Sequence, residues 1–415
     1  MGNTSPGPTR ETAQGAQPPR PRGVFGGGVW SLGHVAGIEL AIDHSWLLIF
    51  GLISFSLSRT FAAEQASWGQ PEIWTAALLA AILFFASILL HELGHSLVAL
   101  RLGVPVRSIT LFIFGGLARL DREPERPRDE VAIAVAGPLV SVGLGILFSA
   151  AAALLPAATL PAQLVGAVFR WLGTINLALA AFNAVPGFPL DGGRVLRGIA
   201  WAVTGSFARA TGIAAAVGAA FAWSLIGFGA LAAILAGQVL GGLWMVFIGW
   251  FLLSAARSTV GQVMLQRILS RVRVLEAMES ARGACLSGSE TVEEVVREAL
   301  LRRGLRTFFV IGPREELTGL LSLRELAAVP AERRGATPVR EIMLPVERLT
   351  VLSPAETGWN ALEKMTNQRV NQLPVVDRGR LVGVITREQL LSLVQAGLAL
   401  GVERSPESPP RSTPP

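Results

Sequence analysis

Six apolar stretches divide the first 256 residues of the chain: roughly Ser45–Ser58, Trp74–Leu100, Val131–Leu155, Leu164–Val185, Ala210–Ala236 and Val239–Ala256. A helix needs about 20 apolar residues to cross the hydrocarbon of a bilayer, so this pattern predicts six transmembrane helices. The first stretch is short by that measure, and the fourth carries Arg170 towards its outer end. Between the second and third the pattern changes. Val104–Leu120 is rich in β-branched and aromatic residues around Gly115-Gly116, which reads as a hairpin or an edge strand. An exposed edge would bind an extended peptide by strand addition; an ordinary packed hairpin is the equal alternative. Gly23–Ile42 is glycine-rich and then alternates at Ile38, Leu40 and Ile42, as a short strand or a re-entrant approach to the membrane would.

From about Arg257 the chain turns to mixed charge, and a unit of about 60 residues occurs twice. The first copy predicts a helix at Thr291–Arg303, strands at Thr307–Ile311 and Leu317–Ser322, and a helix from Leu323. The second predicts a helix at Ala355–Asn367, strands at Gln372–Val376 and Leu381–Thr386, and a final helix. Repetition of one β-α-β-β-α unit is itself a fold signal. The division expected is a disordered tail 1–22, a membrane domain 23–256, a linker 257–271, repeats 272–335 and 336–398, and a disordered tail 399–415. The fold class is thus a polytopic α-helical membrane protein with a short β-hairpin or sheet on its cytoplasmic side, followed by a soluble α/β tandem domain. No apolar core directly follows the polar N-terminal tail, so it does not read as a cleaved signal peptide.

Composition agrees. The chain is 51% hydrophobic and 16% charged, against about 25% charged residues in soluble domains. Net charge is +6, and Lys364 is the sole lysine. The basic residues form no aromatic-interleaved face, which excludes nucleic acid as a partner. One cysteine, Cys285, excludes a disulfide framework and a Cys-based zinc site. Arginine placement gives orientation. The N-terminal tail holds Arg10, Arg20 and Arg22. The connection after the second span holds Arg101, Arg107, Arg119, Arg122, Arg126 and Arg128, and that after the fourth holds Arg194, Arg197 and Arg209. The alternate connections hold only Arg59. Six spans with both termini and the tandem domain cytoplasmic satisfy this distribution.

The chemistry lies at the end of the second span, in His91-Glu92-Leu93-Gly94-His95. Residues four apart share one face of a helix, so His91 and His95 can hold one metal ion with Glu92 beside it as general base. A catalytic zinc takes a third protein ligand. The candidate is Asp191, which follows the fourth span beyond Pro186 and Pro189 and comes to the same cytoplasmic side. An ionisable residue at membrane depth is a functional candidate by default. The remaining histidines are His34, with no assigned partner, and His44, read as an interfacial or packing residue.

These residues, with Asn183, Pro186, Pro189-Leu190-Asp191-Gly192-Gly193, Gly115-Gly116 and Ala136-Gly137-Pro138, resemble the site-2 protease family of intramembrane zinc metalloproteases. The resemblance covers about Gly37–Arg197. It implies hydrolysis of a peptide bond in or near a substrate's transmembrane segment, as in regulated intramembrane proteolysis, with single-span membrane proteins as substrates. It also implies one Zn2+ on His91, His95 and Asp191, Glu92 as base, and Asn183 polarising or positioning the scissile carbonyl. The tandem repeat resembles a pair of CBS domains through Gly319-Leu320-Leu321-Ser322 and Gly383-Val384-Ile385-Thr386. That resemblance implies an adenine nucleotide at Ser322, Glu325 and Thr386, or a homodimer through the pair. Gln389 stands where the first repeat has Glu325, a departure from the family pattern. A channel or transporter gated by its CBS pair is the other function class; the chain shows no paired inverted repeats of the transporter type.

Overall fold

The computed structural model describes residues 28–113, 115–120, 122–155, 158–300 and 307–399. Most of the two expected tails lies outside these residues. The chain divides into two compact units between Val260 and Gly261.

The first unit begins with a hairpin of β1 (Val29–Val35) and β2 (Ile38–Asp43), so the strand reading of Gly23–Ile42 holds from Val29 onward, as two strands; residues 23–27 lie outside the described residues. Two apolar helices follow, α1 (Trp46–Glu64) and α2 (Gln70–Arg101). Then come β3 (Val106–Phe112) and β4 (Gly115–Leu120), within the stretch whose residues predict a hairpin. The sheet order is β1-β2-β3-β4. β2 and β3 pair in parallel, with α1 and α2 as the crossover, and the other pairs are antiparallel. β4 is therefore an edge strand. Ile38, Leu40, Val106 and Ile109 of the sheet form one core with Ala99 of α2 and Ile133, which seats the sheet against the end of α2.

The remaining helices are α3 (Pro127–Leu154), α4 (Leu160–Asn183), α5 (Asp191–Thr204), α6 (Phe207–Leu235) and α7 (Val239–Arg271). Six of the seven, all but α5, are long and apolar enough to cross a membrane, one for each predicted span. The small residues of α2 explain its close packing: Ala76, Ala77, Ala80 and Ala81 are all buried, in a core with Val168 and Leu172 of α4. Membrane helices associate through such small residues because lipid offers no hydrophobic drive. α4 stops at Asn183 because Pro186 and Pro189 follow, and neither can donate to a continuing helix. α5 is an amphipathic helix in a stretch expected to be connection. Gly192 and Gly193 let it start hard against the preceding turn: a Cβ on Gly192 would meet the carbonyl oxygen of Ala184 at 2.5 Å, and one on Gly193 the carbonyl oxygen of Gly187 at 2.7 Å.

Two expectations change. The stretch 257–271 is not a separate linker; α7 runs through it unbroken to Arg271. The two repeats also exchange their ends. Leu269 and Val274 pack in the core of the second repeat, with Leu352, Leu362 and Ile385, and Glu279 bridges Val384. In return β8 (Leu344–Pro345) joins the sheet of the first repeat, whose order is β5-β6-β7-β8. In that sheet β5 is Cys285–Ser287, β6 is Thr307–Ile311 and β7 is Leu317–Ser322. The second repeat's sheet is β9 (Gln372–Asp377) with β10 (Arg380–Thr386). A boundary drawn at a single residue misses this exchange because each end buries its apolar residues in the other repeat. The helix expected at Thr291–Arg303 is, over its described part, a short α-helix Val292–Glu294 followed by a wider π-helical turn, Val295–Leu300.

Candidate metal centre

His91 and His95 lie on one face of α2 and are both buried, at 4% and 6% exposure. Their Nε2 atoms are 3.2 Å apart. Asp191, the first residue of α5, brings Oδ2 to 3.1 Å from His91 Nε2 and 3.2 Å from His95 Nε2. Among the described residues this is the group of His, Cys, Asp and Glu placed to hold a metal ion. The tautomers argue for one. His95 Nδ1 is 2.7 Å from the Ile133 carbonyl oxygen, which can only accept, so Nδ1 carries the proton and a neutral ring turns a bare lone pair inward from Nε2. His91 Nδ1 lies 2.8 Å from Ser141 Oγ, which can accept in the same way. Two imidazole lone pairs and a carboxylate oxygen facing one another repel unless a cation sits between them. Zinc with bonds of about 2.0–2.1 Å places tetrahedral donors about 3.3–3.4 Å apart, close to the three separations found.

Room for the ion comes from α3. A Cβ built on Gly137 would land against His95 Nε2 and 2.7 Å from His91 Nε2. Gly94, between the two histidines, allows the same close approach from α2: a Cβ there would meet Val140 Cγ2 at 2.8 Å. The two glycines thus let α3 pass hard against the imidazoles without filling the space that their Nε2 atoms face. Glu92, half-buried on the adjoining turn, lies under the edge strand; a Cβ on Gly116 of β4 would come within 3.0 Å of its Cδ. The Gly115-Gly116 pair thus brings a strand backbone down onto the carboxylate beside the donors.

The structure brings together His91, His95 and Asp191, with Glu92 beside them. Asn183 ends α4 half-buried, and its side chain makes no hydrogen bond or ion pair among the described residues. His44 packs its ring against Trp30 at 4.3 Å and bonds through Nδ1 to the Gly28 carbonyl, the packing role expected of it. Ser322, Glu325 and Thr386 are engaged locally. The Ser322 amide donates to Glu325 Oε2 at 2.9 Å, and the Ser322 hydroxyl accepts from the Arg324 amide at 3.2 Å. The Thr386 amide donates to Gln389 Oε1 at 2.7 Å, and the Gln389 amide donates back to Thr386 Oγ1 at 3.2 Å. In both repeats the pair caps the following helix, and Gln serves this purpose as Glu does. That accounts physically for Gln389 in the place of a glutamate.

Several residues around the centre carry no sequence signal of their own. Ser141 holds His91. Ser87, one turn before His91, accepts from Asn176 Nδ2 at 3.3 Å across to α4; such interhelical bonds in bilayers contribute about 0.6–2 kcal/mol. Glu130 is fully buried at the start of α3 against Arg194 and Arg197 of α5. Helical spacing on α3 alone could have singled out Glu130 and Ser141 as polar residues on one face. Their contacts come from helices distant in the chain.

Comparison with known proteins is consistent along the chain. The description "Peptidase family M50" matches residues 79–167 and 156–225, and "CBS domain" matches 339–396. The zinc metalloprotease sll0528 of Synechocystis sp. is 34% identical over 89% of this chain and 96% of its own length. The zinc metalloprotease Rip3 of Mycobacterium tuberculosis is 35% identical over 88% of this chain and 92% of its own. A solved site-2 protease from Methanocaldococcus jannaschii superposes with a TM-score of 0.39 at 27% identity, over 56% of this chain and 95% of that one.

Proposed function

The chain belongs to peptidase family M50 and is a multi-pass zinc metalloprotease of the site-2 type, and from that premise we propose how its own residues divide the work. His91, His95 and Asp191 hold the zinc, Glu92 is the general base, and Asn183 orients the scissile carbonyl. The observation that carries the ligand set is the trio of donors 3.1–3.2 Å apart, with their outward nitrogens tied off by Ser141 and Ile133. Bound zinc supplies Lewis acidity, polarising water and the substrate carbonyl.

The family acts on membrane proteins. A transmembrane helix hides its carbonyls in its own hydrogen bonds, so the segment to be cut must first be extended. The edge strand β4 offers unpaired backbone groups directly over Glu92, and the unwound segment pairs there. Glu92 takes a proton from the attacking water. The C–O bond forms first, making the carbonyl carbon tetrahedral; the C–N bond then breaks as the carbonyl re-forms, and the proton passes from Glu92 to the leaving amine nitrogen. The sheet shields this exchange from bulk solvent. Both termini and the CBS pair face the cytoplasm, in keeping with the arginine distribution. The pair modulates cleavage by binding an adenine nucleotide or associating with a second copy. Nucleotide regulation requires different affinities in the active and inactive states. Titrating AMP and ATP against cleavage by the full chain checks it, and no change in rate with either removes it.

The central test is metal analysis beside cleavage of a single-span substrate in detergent. Glu92→Gln keeps one zinc per chain and lowers the rate by roughly 10²–10⁴-fold, the usual contribution of a general base. His91→Ala and Asp191→Asn lose the zinc. A Glu92→Gln protein that cleaves at the wild-type rate sinks the assignment of Glu92.

A further inference from the structure

Helix α3 supplies none of the three donors, yet one of its faces reaches both histidines and the helix that carries the third donor. Glu130, Ile133, Gly137 and Ser141 follow at spacings of three and four, a single stripe along the helix. The Ile133 carbonyl orients His95, Ser141 orients His91, and Gly137 leaves the room between the rings. The fourth member, Glu130, reaches the helix that carries Asp191. Resting on the ligand assignment above, we propose that Glu130 is a positioning residue for Asp191: it clamps α5 through Arg194 and Arg197 and so sets where the third donor stands.

Three observations carry this. The Glu130 side chain has no exposure at all, and Oε1 takes both Arg194 Nε, at 3.2 Å, and Arg197 Nη2. Arg197 is held from its other sides: its guanidinium lies 4.5 Å from the Phe207 ring centre and 5.1 Å from that of Phe188, with Glu123 at 3.5 Å. Gly198 brings α5 into direct contact with the start of α3, where a Cβ would meet Val131 Cγ2 at 2.5 Å and the Pro127 carbonyl oxygen at 3.0 Å.

The physical case for a positioning role is that this arrangement is a poor way to stabilise a fold. Burying an ion pair recovers little more than its desolvation cost, and an apolar replacement of similar volume often stabilises as well or better. Arg194 also stands in the first turn of α5, where the helix dipole disfavours a cation; the buried carboxylate offsets that. What the cluster does supply is direction. Two guanidinium groups one turn apart on α5 converge on one oxygen of α3, which fixes both the depth and the rotation of α5. Asp191 opens that helix, and a metal site tolerates only about 0.2 Å in its ligand distances.

The test uses the purified full chain in detergent and reads zinc transfer to a chromogenic chelator, with kcat and KM measured beside it. Glu130→Gln should speed zinc transfer about tenfold to a hundredfold, the usual effect of removing a group that orients a ligand. Glu130→Asp keeps the charge that Arg194 and Arg197 need, so it tests the point even where the Gln protein fails to fold. It should also speed transfer, and lower kcat at unchanged KM. Gly229→Ala is the reference. A Cβ at Gly229 would meet the Gly242 carbonyl oxygen at 2.6 Å, so that change loosens α6 against α7 without touching the cluster. A folded Glu130→Asp protein with wild-type transfer overturns the proposal. So does Gly229→Ala releasing zinc as fast at a matched loss of melting temperature, because retention would then follow stability alone. A wild-type chain that purifies without zinc overturns the ligand assignment itself, and this proposal with it.

Discussion

Gly137 shows how much of the centre depends on one missing atom. The donors are in place because α3 passes so close to the rings, and it passes so close because position 137 has no side chain. Gly137→Ala puts a methyl group where two imidazole nitrogens now face open space. The helix itself gains, since Ala is the better helix former by about 1 kcal/mol. The loss should therefore fall on the metal and not on the fold. The expected result is a monodisperse protein with normal helical circular dichroism and little or no zinc, read by atomic emission. Full zinc occupancy with full activity would show that the rings can retreat, and that the close approach of α3 is incidental. Ser141→Ala is the milder companion: it leaves His91 Nδ1 without its partner, and weaker zinc retention with an intact fold is the outcome to measure.

Among the elements, the β3–β4 hairpin carries the next prediction. Gly116 lies so close above Glu92 that a side chain there must push the carboxylate aside. Gly116→Ala should keep the zinc and lose catalysis, because a displacement of about 1 Å at a reacting group costs on the order of 10²-fold. A normal kcat with a raised KM would instead assign the strand to substrate binding alone. How legible these elements are in sequence depends on how local their causes are. The six long helices, the hairpin, β6 and β7 can be read from apolar length, β-branched runs and turn residues, all properties of consecutive residues. Asp191 is legible too, because prolines and glycines mark the break in front of it. α5 is not: it is amphipathic and short, and it follows two prolines that read as connection. The exchange of ends between the repeats is likewise hidden, since Leu269 and Val274 look like any apolar pair until Leu352 and Ile385 are seen around them. Helical spacing places Glu130 on one face of α3 with Ser141, but that signal is masked because an acid in the first turn of a helix is normally a response to the dipole; its two arginines lie more than 60 residues away in the chain.

At the scale of the whole molecule, the position of the centre across the bilayer follows from α2 alone. From Trp74, an interfacial residue by type, to His91 the helix rises roughly 26 Å. A hydrocarbon core of about 30 Å therefore places His91 near its far side. α4 advances in the same sense: Asn176 meets Ser87, and further along both paths Asp191 meets His91. If the arginine-rich connections are cytoplasmic, the bond to be cut is reached from the cytoplasmic side of the membrane. The chain carries its own reporter for this. Cys285 is the only cysteine in 415 residues, and it lies beyond the last span, so a membrane-impermeant maleimide reads the side of the second unit without any engineered site. Its reactivity has to be allowed for. Burial, and then the nearby charge of Glu315, push the Cys285 thiol up from its ordinary value, and only the thiolate attacks. Labelling at neutral pH should be slower than for a free thiol and should quicken as pH rises. The comparison therefore belongs at alkaline pH, with sodium dodecyl sulfate-denatured protein as the reference for full reactivity. In intact cells Cys285 should stay unlabelled, and after permeabilisation it should label. Labelling in intact cells at the permeabilised rate would put the second unit outside. The donors at the far end of α2 would then face the exterior, and substrates would have to be approached from there.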